Sequence, residues 1–242
     1  MKKIAMMMAA SLVLAAGSVV AAEEGTEESA SAEAGESRFS EYFDKSVAWL
    51  TTDTYVGLNF GSTSADTSEA GLAASLTSGT VTSVSIDDGD TGYRFYFGKR
   101  FMPHLAVELG YVDLGEVDAS VSATTTDVPA YLQQLADNVP VAPSGITIDA
   151  VTEWTFADFN MEGDWAEKLS VHGRLGIFIW ETEVSYSSGG VSYSHDDDGT
   201  DIRFGIGAGW KFNDHFSARF DYEMYSATTD VDMISLGAVY AF

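Results

Sequence analysis

Arg94, Arg174, Arg203 and Arg219 share their alternation with Glu108, Asp221 and Glu223 in stretches that read as strands. Guanidinium and carboxylate groups make bidentate, charge-assisted hydrogen bonds. Charge held away from water is costly unless paired, so these side chains, gathered in one interior, must form a network. Four positive groups against three negative leave that network one charge short. A second constellation is Ser170 and His172, two apart and so on one strand face, near Arg174. These are the residue types of nucleophilic catalysis, but no carboxylate is evidently placed to orient His172, and no catalysis is expected. His104 and His215 fall in short turns, and His195 stands beside an acidic run. Third, Asp87, Asp88 and Asp90, and then Asp196, Asp197, Asp198 and Asp201, are carboxylate clusters of the kind that suit hard divalent cations. The second cluster lacks the twelve-residue calcium loop with its bidentate Glu. Its four aspartates are weak metal candidates, and no resident metal or cofactor is expected.

Composition bounds what these residues can serve. The chain has 242 residues, 12 Lys plus Arg and 37 Asp plus Glu, a formal charge of −25. That excludes a nucleic-acid binder, which concentrates basic residues. A hydrophobic content of 45%, with 12% aromatic, argues against disorder throughout. The absence of Cys excludes disulfide frameworks, Cys-based zinc sites and Cys nucleophiles. The 23 Gly, 14 Phe and 11 Tyr beside 4 Pro point to strands with aromatic edges.

The N-terminal segment reads differently from the rest. Met1–Ala22 has the form of a secretory signal: Lys2 and Lys3, an apolar run from Ile4 to Ala16, and small residues before Glu23. The run is short for a membrane-spanning helix. Glu23–Ser37 is a low-complexity Glu/Ala/Ser tail, expected to be disordered. Arg38–Leu50 sets Phe39, Tyr42, Phe43, Val47 and Leu50 at helical spacing, a short amphipathic helix for a barrel rim or membrane surface. The tail and helix span 23–50, and 51–242 is one folded unit.

From Thr54 the period becomes two. Val56, Leu58 and Phe60 alternate with Gly57, Asn59 and Gly61. Tyr93, Phe95 and Phe97 alternate with Gly92, Arg94, Tyr96 and Gly98, and Leu105, Val107 and Leu109 with Ala106, Glu108 and Gly110. Similar segments cover Leu169–Ser185, Asp201–Trp210, Phe216–Met224 and Val231–Phe242; a fourth, roughly Ile148–Asn160, has muddled parity around Trp154. One face is apolar and the other is Gly and charge. A soluble sandwich would place Lys, Thr and Glu on its wet face. Gly with Arg fits a narrow barrel interior, where small residues make room for large ones. Strands of this length cross a bilayer when tilted, and open edges are not tolerated in lipid, so eight of them should close.

Connection lengths agree. Ser62–Asp90 and Glu116–Thr147 are long and Tyr186–Thr200 intermediate, whereas Phe101–His104, Met161–Lys168 and Lys211–His215 are short. Only Ser226–Asp230 breaks the trend. Outer-membrane barrels have short periplasmic turns and long external loops. The fold class expected is therefore all-β: a closed eight-stranded antiparallel up-and-down transmembrane barrel.

The stretches Gly92–Glu116, Leu169–Glu183, Asp196–Ser226 and Asp230–Phe242 resemble the OmpA-like family of eight-stranded outer-membrane barrels, without the peptidoglycan-binding domain of its longer members. The resemblance implies an outer-membrane location. In that family the positions of Glu108, Arg174 and Arg219 match an internal ionic plug whose re-pairing can open a path. Leu236, Ala238, Tyr240 and Phe242 resemble the C-terminal signal read by the outer-membrane insertion machinery. The segment around Ala119–Ser144 looks like an addition. The expected role is structural, with acidic loops presented outside and solvated or loosely bridged to lipopolysaccharide by divalent ions. A narrow gated pore and a surface adhesin are the alternatives. The partners expected are membrane lipid, lipopolysaccharide and the insertion machinery, around a monomer that binds no nucleic acid.

Overall fold

A computed structural model describes residues 52–188 and 191–242. The expected export signal, acidic tail and amphipathic helix lie outside the described residues. Along the chain come β1 (Thr54–Ala65), α1 (Glu69–Ser75), β2 (Thr80–Asp87), β3 (Gly89–Met102), β4 (Leu105–Asp113), β5 (Asp118–Thr124) and α2 (Val128–Asn138). After them follow β6 (Ser144–Thr155), a 3-10 turn (Phe156–Phe159), β7 (Leu169–Ser188), β8 (Val191–Lys211), β9 (Phe216–Tyr225) and β10 (Val231–Ala241).

Eight strands close into the expected barrel in the order β1-β10-β9-β8-β7-β6-β4-β3, every pair antiparallel. The first and last strands pair from Tyr55 opposite Ala241 to Ala65 opposite Val231, which leaves the barrel sheet without an edge. Strand parity sorts the side chains. Leu58, Phe60, Leu105, Val107, Leu109, Ile202, Phe204, Ile206, Ile234 and Leu236 are exposed on the outer wall, an apolar belt suited to lipid. Aromatic residues cluster toward both ends. Phe60, Tyr93 and Tyr111 form a chain of tilted rings toward the loop end, with centroids 6.4 Å apart at each step. At the turn end His104 stacks on Trp154 at 3.9 Å, and Tyr240 packs against Phe216 and Phe242.

Three sequence expectations are corrected. The fourth barrel strand, expected at Ile148–Asn160, runs over Ser144–Thr155. It stops because the Asp158 carboxylate accepts hydrogen bonds from the Thr155 N–H and hydroxyl, both at 2.7 Å, which fixes a 3-10 turn. Asn160 closes that turn in the left-handed region at φ 59°. Second, Tyr186–Thr200 is not an intermediate loop: β7 and β8 continue past the barrel rim as a paired hairpin through Ser188 and Val191.

Third, the two long connections are not plain loops. β2 and β5 pair in a separate two-stranded sheet, and α1 and α2 pack on it. Leu72, Leu76, Tyr131, Leu135 and Val139 are buried there against Val81, Val84, Ile86, Val121 and, from β7, Val184. Helix starts are capped: the Ser68 hydroxyl accepts from Gly71 N–H at 3.1 Å, and the Asp127 carboxylate accepts from Ala130 N–H at 3.2 Å. Gln134 on α2 binds across to the first connection, its Oε1 accepting from Ser78 N–H at 2.8 Å. The segment that looked like an addition is thus half of a folded cap whose apolar core neither loop could build alone.

Candidate functional site

The lumen is filled in layers. At the turn end Tyr55, Tyr96, Ala106, Val151 and Val239 form one buried cluster. At the loop end Val112, Leu114, Phe178, Trp180, Tyr225, Val231 and Met233 form another with Ala65. Between them lies the charged layer, in which Arg94, Glu108, Asp221 and Glu223 have no exposed surface and Asp149, Arg174 and Arg203 only 1%.

In that layer each arginine meets several carboxylates. Arg94 donates to Glu108 at 3.0 Å and to Asp149 at 2.8 Å, and reaches Glu223 at 3.5 Å. Arg174 binds Glu108 through Nε at 3.1 Å and Asp221 through Nη1 at 2.5 Å. Arg203 bridges Asp149 at 2.6 Å and Glu223. Arg219 joins Glu108 at 3.0 Å and Glu153 at 3.2 Å, and Glu153 also accepts from Arg100. Phenols add donors to two of the acids: Tyr55 donates to Glu108 at 2.8 Å and Tyr225 to Glu223 at 3.2 Å. Guanidinium planes lie over rings, Arg94 over Tyr96 at 4.5 Å and Arg203 over Tyr225 at 4.6 Å.

All seven expected lumen residues meet here, and the charge deficit expected from sequence disappears. Asp149 supplies the fourth buried carboxylate, facing four arginines. Glu153 and Arg100 form a further pair toward the turn end. Both acids sit on β6, the strand whose parity was unclear. Ile146 and Ile148 are exposed and alternate with buried Thr147 and Asp149, so the signal lay at the strand's start, whereas Phe156–Phe159 belongs to its turn.

Glycine makes the room. Tyr55 faces Gly98 and Tyr96 faces Gly57 across the β1–β3 ladder. A Cβ at either glycine would overlap the opposing ring. Gly237 likewise stands where Asn59 lies, and Gly207 where His172 and Asp221 meet.

His172 does have a carboxylate partner, contrary to the sequence reading: Asp221 Oδ1 lies 2.5 Å from its Nε2. His172 of β7 and Asp221 of β9 both stand opposite Gly207 of β8, the strand between them, so the two side chains meet over that glycine, which linear spacing did not reveal. Ser170 donates to Glu153 at 2.9 Å. Among the described residues no hydrogen bond joins Ser170 to His172, so the relay that would activate a hydroxyl is not assembled.

The four aspartates weighed as metal candidates lie on β8, not in a loop, and alternation splits them. Asp196 and Asp198 are exposed opposite Glu183 and Glu181 of β7. Asp197 accepts from Thr228 at 2.7 Å, and Asp201 accepts from the Trp180 indole N–H at 2.8 Å. No group of three or more possible ligands converges on an ion position among the described residues. Asp87, Asp88 and Asp90 close the first connection, where Asp90 accepts from Glu116 N–H at 2.8 Å. At the turn end, the Thr155 hydroxyl and N–H hold the exposed Asp158 carboxyl below the usual carboxylate range. Leu236, Ala238, Tyr240 and Phe242 form one exposed outer row on β10 and the residue after it.

No curated protein matches the chain. Solved structures similar to it include the N-terminal β-barrel domain of Pseudomonas aeruginosa OprF, at 14% identity and TM-score 0.42, covering 78% of this chain and 98% of that one. Ail, the attachment invasion locus protein of Yersinia pestis, is 16% identical with TM-score 0.41, covering 79% of this chain and 100% of that one. The outer membrane protein OprG of P. aeruginosa is 12% identical with TM-score 0.37, covering 79% and 98%. The family model described as the outer membrane protein β-barrel domain matches residues 9–242, and the chain belongs to that family of outer-membrane β-barrel proteins.

Proposed function

We propose that this barrel is a structural element of the envelope, closed to solutes, and that it presents an acidic folded cap to the outside. The observation that carries this reading is the double seal of the lumen. The charged layer alone could exchange partners, since Arg94 and Arg174 each reach three carboxylates. Above it, however, Val112, Leu114, Phe178 and Met233 have no exposed surface and Tyr225 only 1%. Tyr225 alone of these is bonded to the ions, through Glu223, and Val112, Leu114, Phe178 and Met233 offer the ionic layer no hydrogen bond to break when it re-pairs. Liposomes carrying the purified barrel should swell in small sugars no faster than empty liposomes; swelling comparable to that given by an open porin would sink the proposal.

A gated pore is the second reading, and the exchangeable partners of Arg94 and Arg174 are what favour it. Adhesion through the cap is the third, favoured by a connection that folds into its own sheet and helices rather than trailing in solvent. The barrel works without catalysis on this account. Its N-terminal signal sends it to export, and its outer row of Leu236, Ala238, Tyr240 and Phe242 serves the insertion machinery. Lipid surrounds its apolar belt, and lipopolysaccharide meets its acidic end through divalent ions.

A further inference from the structure

The cap holds a strand edge with a groove beside it. β2 pairs with β5 on one side. On its other side Ile86 N–H turns to the Glu69 carboxylate of α1 at 3.2 Å. In an antiparallel pair, alternate residues point their backbone groups to the same side, so Val84 N–H and C=O face that edge too. Between this edge and α1 runs an open groove of about 570 Å³, lined by Glu69, Ala70, Ala73 and Ala74 of the helix and Val81–Val84 of the strand. The helix side is nearly all alanine, which leaves width for a further backbone. The strand carries no Lys and no Pro, the residues that usually blunt an edge.

Charge says what would enter. From 62 to 91, 112 to 147, 179 to 202 and 225 to 233, the segments that build the loop end, the sequence contains no Lys or Arg, while Asp or Glu occurs in every one. Glu181 and Asp198, and Glu183 and Asp196, stand directly opposite each other on the β7–β8 hairpin, like charges facing across the ladder. The field over the cap therefore attracts cationic chains and repels anionic ones.

We propose that the groove between β2 and α1 receives an extended segment of a cationic polypeptide, which adds as a third strand to the β2–β5 sheet. Backbone pairing at Val84 supplies the register, the alanine face of α1 accepts every second side chain, and the acidic surroundings select basic ones. This builds on the reading that the cap faces outward, but the pairing does not depend on which way the barrel sits.

The test uses the refolded full barrel in zwitterionic micelles and three probes: an alternating Lys-Val heptapeptide, its Glu-Val counterpart, and the Lys-Val peptide N-methylated on alternate residues. Saturable amide shifts at Val81–Val84 are expected with the first, and binding about tenfold weaker with the other two, since one lacks the charge and one the ladder hydrogen bonds. Ala70→Trp and Ala74→Trp, at exposed helix positions, should weaken binding similarly while leaving the remaining spectrum unchanged. Equal binding of the N-methylated peptide, or shifts spread over the acidic hairpin instead of β2, would reduce the effect to charge alone and overturn the proposal. Shifts at β2 that grow with protein concentration without peptide would give the edge to a second copy, with the same consequence. Failure here leaves liposome impermeability untouched, so the two readings fall separately.

Discussion

Glu108 is the residue on which the lumen network turns. Three arginines, Arg94, Arg174 and Arg219, and the Tyr55 phenol all donate to it. Removing its charge leaves three buried guanidinium groups short of an acceptor. Glu108→Gln should cost about 3–5 kcal/mol, the range for breaking a buried ion pair from one side. Urea unfolding in lipid vesicles measures it. Glu153→Gln should cost clearly less, because that side chain keeps 21% of its surface and water screens it; equal losses would mean the central layer is not the tighter one. Arg219→Ala should destabilise the barrel by a similar mechanism, and unchanged stability together with unchanged conductance would refute the plug. The four arginines and three of the acids were legible from parity alone. Asp149 and the His172–Asp221 pair were not. The first sits on a strand whose far end becomes a turn, and the second depends on the register of the two ladders that β8 shares with β7 and β9.

At the scale of elements, the β1–β3 ladder depends on two reciprocal gaps, Gly57 beneath Tyr96 and Gly98 beneath Tyr55. Gly98→Ala should cost about 1–3 kcal/mol through overpacking against a ring that cannot leave. Tyr55→Ala in the same chain should recover part of that loss, measured by the same unfolding transition. The cap makes a different prediction. Leu135→Ala removes a buried side chain from the α1–α2 core, with a penalty of about 2–5 kcal/mol for such truncations. Hydrogen exchange should speed up in β2, β5 and both helices while the barrel ladders keep their protection. Uniform acceleration would show that cap and barrel open as one. In the 3-10 turn, Asp158 is held below the usual carboxylate range by Thr155. A depressed folded-state value means that the turn is favoured above the ordinary carboxylate pKa and loses that contribution as pH falls through the lowered one. A carboxyl titration by NMR should place Asp158 lower in the native protein than in Thr155→Val. Barrel strands were readable because lipid on one side and a crowded lumen on the other impose strict alternation. The cap was not, since β2 and β5 are short, rich in Ser and Thr, and pair with each other over an intervening barrel hairpin, so neither connection alone carries a fold signal.

For the molecule as a whole, the charge of −25 is distributed with a direction. The described cations outside the central layer, Lys99, Arg100, Lys168 and Lys211, all lie near the turn end, and the described part of the loop end has only carboxylates and His195. Wall and lumen are close to neutral. A barrel of this kind sits between an apolar belt and two unlike aqueous ends, with its core closed by ions below and apolar side chains above. Single-channel recording in planar bilayers tests that closure most directly. The wild-type barrel should give no conductance steps. Glu108→Gln should stay silent as well, because Phe178, Leu114 and Met233 still fill the lumen above the ionic layer. Discrete openings of the wild-type protein, or openings on Glu108→Gln alone, would contradict the sealed lumen.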